Sequence, residues 1–376
     1  MKIAILGYGT VGRGVDEIVG KHTADVEVAR ILELPDRLAD ERMTSDFRDI
    51  VEDPEIALVV ECMGGLEPAH TYIIEALAAG KSVVTSNKAV VAEYFEEFAS
   101  QARCSGASLL IEASVGGGIP WIASIEKVRR IDEVSSFSGI MNGTTNYIVD
   151  AMAKNDADFD EVLAAAQALG YAERDSSADI DGIDVKNKTI ISACVAFDVS
   201  CTKEFPVSGI RTLTNGDLDV LRGMGRGVKL LGRGVRSDGR YAVSVEPVAV
   251  PLSSLEANVP SNFNLISLEG STIGPLKFYG QGAGMLPTGN AMVQDIIDFA
   301  NGRRPTYDFS ARLAYAPELL TSDYLFRTTA SLPGGEGVAS GYTILRSLTS
   351  EKARELLDDA LEKDPTSFMA ALPQED

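Results

Sequence analysis

A chain of 376 residues is long enough for two domains around substantial cores, and 45% apolar residues describe a globular protein. A formal net charge of −21 excludes nucleic acid and anionic membrane as electrostatic partners. No apolar run reaches the length of a membrane span and a strand begins at residue 2, leaving no room for a targeting segment, so a cytoplasmic protein is expected.

The first predicted strand, 2–6, runs directly into Gly7-Tyr8-Gly9-Thr10-Val11-Gly12. A buried strand, a Gly-x-Gly-x-x-Gly turn and a helix start in that order form a dinucleotide-binding fingerprint. Gly7 makes the turn, Gly9 lets the backbone approach a pyrophosphate, and Gly12 lets helix and strand pack closely. The helix N-terminus then offers N–H groups to the phosphates. Strands follow at 26–33, 57–62, 81–85 and 107–112, with helices at 68–79 and 89–103, an alternation that predicts βαβ units and a parallel sheet. Val115-Gly-Gly-Gly-Ile-Pro120 is expected to begin the crossing to a second domain.

Beyond it the pattern becomes α+β. Helices are expected at 158–169, stopped by Gly170, and from Asp184 through Phe197. Alternating stretches at 228–236, 241–250 and 263–280 predict a mixed or antiparallel sheet. Gly280-Gln-Gly-Ala-Gly284 precedes a helix at 289–300 that returns to the first domain. The remainder shows a helix at 350–363 and strand-like pieces near 311–315, 324–331 and 341–346. Domains are therefore expected at 1–130 with a returning segment near 280–305, at 131–280, and as an extension at 306–376.

Several polar clusters carry candidate chemistry. Lys88, in Ser86-Asn87-Lys88, follows a predicted strand at the sheet end where ligands bind in open α/β folds. Asp184 and Lys188 are four residues apart on one helix face, so they read either as a positioned proton donor with its partner or as a surface ion pair. Asn142-Gly143-Thr144-Thr145 offers N–H and hydroxyl donors suited to a carboxylate, or simply a helix cap. Glu112 with the Val115–Ile119 turn offers oxygen ligands for a hard cation, or a plain glycine hinge. The two histidines, His22 and His70, sit in no motif, so proton transfer falls to Lys, Asp, Glu, Tyr or water. Cys62, Cys104, Cys194 and Cys201 lack metal-ligand spacing and are expected as reduced core residues.

Taken together, these segments resemble the homoserine dehydrogenase family. The resemblance is carried by residues 7–12, Ser-Asn-Lys-Ala at 86–89, Glu-Ala-Ser-Val-Gly-Gly-Gly-Ile-Pro at 112–120, and Gly-Ile-Met-Asn-Gly-Thr-Thr-Asn-Tyr-Ile at 139–148. Residues 166–173, 179–188 and 280–288 continue it. It implies an N-terminal Rossmann domain joined to an α+β substrate and dimerisation domain, and NAD(P)-dependent interconversion of L-aspartate 4-semialdehyde and L-homoserine in threonine and methionine biosynthesis.

The resemblance also implies roles. Lys188, Asp184 and Lys88 are the catalytic set. Glu173 and Asp179 bind the substrate's amino end, surrounded by Gly143, Thr144 and Tyr171. Cofactor contacts fall on Gly7, Gly9, Thr10, Val11, Gly12, Glu33, Asn87 and Gly284. Glu112, Val115, Gly117 and Ile119 form a site for Na+ or K+. The expected assembly is a homodimer. Glu33, about twenty residues past the glycines, favours NAD, whereas Arg37 favours NADP. The elements past residue 300 are too few for a complete ACT regulatory domain. A related semialdehyde oxidoreductase, or a dinucleotide sensor without catalysis, is the competing reading.

Overall fold

The apolar run Ile3–Leu6 is wholly buried and forms the middle of a six-stranded parallel sheet. The computed structural model describes residues 1–374. They divide into two units. Met1–Lys127, Cys194–Ser200 and Gln281–Ala311 make the first, and Val128–Ala193, Cys201–Gly280 and the chain from Arg312 make the second.

The first unit runs β1 (Lys2–Leu6), α1 (Thr10–His22), β2 (Glu27–Leu32), β3 (Met43–Thr44), α2 (Arg48–Val51), β4 (Ile56–Glu61), α3 (Ala69–Ala78), β5 (Ser82–Thr85), α4 (Lys88–Ser105), β6 (Leu109–Leu110) and α5 (Trp121–Val128). The sheet order is β3-β2-β1-β4-β5-β6. That order places the topological switch point between β1 and β4, where nucleotides bind outside the carboxyl ends of the strands. Val15 and Val19, four apart on α1, are buried against the sheet core with Ile3, Ile5 and Val60. The predicted strand at 107–112 is only two residues long, because the chain turns into a 3-10 helix at Glu112–Ser114. Residues 115–120 lie in this unit, which runs on to Lys127.

The second unit begins with β7 (Val134–Ile140), α6 (Gly143–Asn155), α7 (Phe159–Ala168), α8 (Ser177–Ile180), α9 (Ile183–Phe197, of which Cys194 onward belongs to the first unit) and α10 (Asn215–Gly223). The hairpin β8 (Arg226–Ser237) and β9 (Arg240–Pro251) turns at Asp238-Gly239, both at positive φ, the conformation of a two-residue primed turn. The predicted single stretch 263–280 is instead a hairpin, β10 (Phe263–Gly270) and β11 (Gly274–Gln281). The Asp132 carboxylate makes the difference, accepting from Ser271 Oγ, Thr272 N–H and Ile273 N–H at the turn.

After α11 (Met285–Ala300), in the first unit, come β12 (Ala314–Tyr315), β13 (Thr321–Arg327), β14 (Glu336–Ala339), β15 (Tyr342–Thr349), α12 (Ser350–Lys363) and β16 (Phe368–Leu372). α11 starts earlier than predicted because Pro287 is tolerated in a first helical turn. The residues from Arg312 do not stand apart as an extension. Their strands continue the second sheet, ordered β11-β10-β7-β8-β9-β16-β13-β15-β14 with β12 beside β9. Tyr324, Phe326, Leu357 and Met369 share one core with Ile140, Leu231 and Val248. The sequence pattern missed this because β16 is joined to β9 only through tertiary pairing, at Ala371 and Val248.

Candidate functional site

In the first unit the glycine loop has the geometry a dinucleotide requires. Gly7 sits at φ +88°, and a Cβ on Gly12 would lie 2.1 Å from the Gly7 carbonyl oxygen. Gly9, the N-cap of α1, is exposed and faces open space, so a phosphate can approach the backbone. Thr10 is exposed beside it and Val11 half-buried. Glu33, just past β2, accepts the Tyr8 N–H at Oε2 and the Leu34 N–H at Oε1, both at 2.9 Å. The Leu34 N–H is the largest influence holding its carboxyl below the usual range, so Glu33 is anionic at neutral pH. Arg37 Nη1 stands 4.0 Å from Glu33 Oε1 and is largely exposed.

Asn87 is buried and structural. Its Oδ1 accepts the Val90 N–H at 3.2 Å, capping α4, and its Nδ2 donates to the Gly65 carbonyl at 2.7 Å. Lys88 is therefore the first residue of α4, half-buried at the carboxyl end of β5. Gly284 is the N-cap of α11 at φ +123°. Glu61, unremarked in the sequence reading, is wholly buried at the end of β4. It accepts from Thr85 Oγ1 at 2.5 Å and from the Met63 N–H at 2.7 Å, and burial pushes its carboxyl up.

The Glu112 loop differs from its expected form. The Glu112 carboxylate accepts the Ile122 N–H at 3.1 Å and the Ala123 N–H at 2.7 Å, so it caps α5. Burial pushes this carboxyl up to about 7. The Glu112 N–H donates to Asp295 Oδ2 at 2.9 Å, joining the loop to α11. The Ile119 carbonyl accepts the Trp121 N–H at 2.8 Å. Gly117, at φ +56°, abuts the Gly282 backbone, where a Cβ would come within 2.5 Å. Among the described residues no group of three or more His, Cys, Asp or Glu could hold a metal ion.

In the second unit the polar motifs converge. Asp184 and Lys188 lie in the first two turns of α9 and are both buried, at 6% and 7% exposure. Lys188 Nζ donates to Asp184 Oδ2 at 2.8 Å and to the Met141 carbonyl at 2.5 Å. The surface ion-pair alternative is thereby removed. Asn142, between β7 and α6, donates from Nδ2 to Asp179 Oδ1 at 2.7 Å and to Asp184 Oδ2 at 2.8 Å. Its Oδ1 accepts the Thr145 N–H at 2.8 Å as the cap of α6.

Around this cluster, Thr144 Oγ1 donates to the Tyr171 carbonyl at 2.6 Å, and the rings of Tyr147 and Tyr171 meet edge to face at 5.1 Å. Gly143 lies against the Asn262 carbonyl, where a Cβ would come within 2.7 Å. Glu173 is not drawn into the network. It is exposed on the loop after Tyr171, with its backbone carbonyl accepting from Gln167 Nε2 at 3.2 Å. Asn142, expected only within a donor-rich turn or helix cap, does cap α6 but also bridges two carboxylates. Its signal, an Asn-Gly pair at a strand end before a helix, identifies a cap and says nothing of two distant carboxylates.

Other expectations need adjustment. Cys104 is exposed and Cys62 half-buried, so only Cys194 and Cys201 are core cysteines. His70 is held between Glu67 and Glu97 at 3.2 and 3.0 Å. No helix among the described residues is long and apolar enough to cross a membrane.

Comparison with known proteins gives a consistent result. The family model described as homoserine dehydrogenase matches residues 120–297, and that described as homoserine dehydrogenase, NAD binding domain, matches residues 7–112. The homoserine dehydrogenase of Synechocystis is 40% identical over 321 residues, 79% of this chain and 73% of that protein. The crystal structure of a homoserine dehydrogenase from Thiobacillus denitrificans superimposes with a TM-score of 0.88 at 30% identity, covering 100% of this chain and 98% of that one. A hyperthermophilic archaeal homoserine dehydrogenase in complex with NADPH has a TM-score of 0.70 at 25% identity, covering 81% of this chain and 99% of that one.

Proposed function

This chain belongs to the homoserine dehydrogenase family, NAD(P)-dependent oxidoreductases acting on a CH–OH group, and from that premise we propose which of its residues carry the reaction. The observation that carries the proposal is the buried Lys188 ammonium, fixed by Asp184 and the Met141 carbonyl. An ammonium has three donors. Two are directed at Asp184 and Met141, and the third is assigned to the oxygen that alternates between the alcohol of homoserine and the aldehyde of aspartate semialdehyde. In reduction Lys188 stabilises negative charge developing on that oxygen and delivers its proton, and in oxidation it receives the proton back. Asp184 orients the lysine.

Asp179 and Glu173 take the substrate ammonium, with Gly143, Thr144 and Tyr171 as the surrounding shell. The exposed position of Glu173 suits a group that meets its partner only when substrate arrives. Lys88, at the carboxyl end of β5, is the second site lysine. Bound NAD(P) supplies or accepts the hydride. The open Gly9 backbone and the Gly7–Gly12 packing fit its pyrophosphate. The anionic Glu33 retains lone pairs beyond its two backbone hydrogen bonds, and these fit ribose hydroxyls. A 2′-phosphate would meet that fixed anion, so NAD is the favoured cofactor, with Asn87 and Gly284 as further contacts.

A Na+ or K+ in the Glu112 loop would be held by backbone oxygens of Val115, Gly117 and Ile119, since the Glu112 carboxylate caps α5. The chain acts as a cytoplasmic homodimer on a small amino-acid substrate, in threonine and methionine biosynthesis. The experiment that tests the site assignment is homoserine oxidation followed by absorbance of the reduced nicotinamide, with wild type and Lys188→Ala side by side. A Lys188→Ala enzyme that stays folded and keeps most of its kcat sinks it.

A further inference from the structure

Asn142 occupies a position that the proposed reaction uses but that no catalytic role above explains. Its amide orientation is set by its surroundings. The oxygen end accepts a backbone N–H from Thr145, and the nitrogen end faces two carboxylates. The reverse orientation would set an amide oxygen against two anions. Both amide hydrogens are thus committed, one to Asp179 on α8 and one to Asp184 on α9. The Asp184 oxygen that receives Asn142 also receives Lys188, while the neighbouring Met141 carbonyl receives the same lysine. Asn142 itself is only 4% exposed.

Two consecutive residues at the end of β7 therefore hold the lysine and both carboxylates. An uncharged side chain that donates twice and accepts once is needed for this, and only an amide combines the three. Serine at this position would still cap α6 but could donate only one hydrogen. Aspartate would also cap α6 but would place a third carboxylate beside the other two.

We propose that Asn142 is a positioning residue that couples Asp179 to the Asp184–Lys188 pair. It fixes the spacing between the carboxylate that takes the substrate ammonium and the lysine that meets the substrate oxygen. The inference rests on the roles proposed above for Asp179 and Lys188. A substrate held at both ends reacts only when both ends are in place, so loosening the bridge acts on binding and on turnover together.

The test uses the full chain with saturating NAD(P), comparing Asn142→Ser and Asn142→Asp with wild type in homoserine oxidation. Both variants keep a capping oxygen, so thermal unfolding reports whether α6 survives. The expected result for Asn142→Ser is a rise in homoserine KM and a fall in kcat of about tenfold each, with the KM for NAD(P) unchanged. Asn142→Asp is expected to lose more than Asn142→Ser although aspartate is at least as good a cap. If both variants stay within twofold of wild type, Asn142 is a helix cap and the coupling does not exist. A fall in kcat with unchanged homoserine KM ties Asn142 to the lysine alone and also overturns it. Lys188→Ala, run in parallel, separates the cases: if it retains kcat, the site reading fails first, whereas a dead Lys188→Ala beside a normal Asn142→Ser removes only this inference. Should Asn142→Ser fail to fold, the KM and kcat of Asn142→Asp against wild type decide the matter.

Discussion

Two lysines of the second unit are buried to a similar degree, Lys188 at 7% and Lys229 at 3% exposure, in different company. Lys188 faces the Asp184 carboxylate one turn back on its own helix. Lys229, on β8, donates to Asn146 Oδ1 at 2.7 Å and to the Val259 carbonyl at 2.9 Å, both neutral. Burial pushes Lys229 down to about 8, only partly opposed by the charge of Asp150. Asn146 in turn donates to the carbonyls of Val259, Ser261 and Phe263. A buried lysine beside a carboxylate presents a charge to a ligand. One lined by neutral acceptors organises backbone, here the loop whose Asn262 carbonyl abuts Gly143.

The contrast breaks most sharply on turnover. Lys188→Ala is expected to lower kcat roughly a hundredfold to a thousandfold with a smaller change in homoserine KM, because its charge acts on the transition state. Lys229→Met is expected to leave kcat within about threefold, since its role is in the fold. Equal losses in steady-state kinetics would erase the distinction.

Stability against pH sharpens it next. The folded value of Lys229, about 8, lies below its unfolded value of 10.5. Between them the unfolded chain binds more protons, so this group makes stability rise as pH rises from about 8 to 10.5, and its cost is fully present below about 8. The span corresponds to on the order of 3 kcal/mol. In urea titrations, Lys229→Met should be relatively more stable at pH 7 than at pH 10, compared with wild type. A constant difference across that range would show that Lys229 is not depressed in the folded state.

An exposed carboxylate provides a third comparison. Glu173→Gln removes a partner of the substrate ammonium and nothing from the buried network, so homoserine KM should rise about tenfold with cofactor binding unchanged by fluorescence. A loss of cofactor affinity would instead remove Glu173 from the substrate shell.

The first unit repeats the contrast with two glutamates. Glu33 is anionic at the rim of the nucleotide loop, while Glu61 is wholly buried and holds Thr85 and Met63. Glu33→Gln should reduce the ratio of kcat/KM for NAD over NADP by about fivefold, somewhat less than a full charged hydrogen bond is worth. Glu61→Gln should leave that ratio unchanged and lower the melting temperature. A ratio that moves with Glu61 and not with Glu33 would reverse the assignment.

Much of the first unit was legible because its physics is local. A strand, three glycines at fixed spacing and a helix start are neighbours in sequence, and their steric demands can be read there. The same holds for α12, whose predicted bounds match Ser350–Lys363, with Thr349 capping the Lys352 N–H. The edges were harder. β3 and β6 are two residues each, too short for a pattern, and they exist because neighbouring strands accept them. The strand β16 has five buried residues and no alternation, so nothing local separates it from a helix or a buried turn.

For the candidate site, the pairing of Asp184 with Lys188 was written in the four-residue spacing, since residues so placed meet on any helix. Whether that pair was buried chemistry or a surface ion pair was not, because burial depends on what packs over the helix. The sequence by itself determined the strand–glycine loop–helix start of the first unit, the α12 helix and the residue types available for proton transfer. Only the tertiary structure decided that Glu112 caps α5, that the chain from Arg312 completes the second sheet, and that Asn142 joins Asp179 to Asp184. Each of these depends on groups far apart in sequence meeting at hydrogen-bond distance, and local pattern carries no record of such meetings.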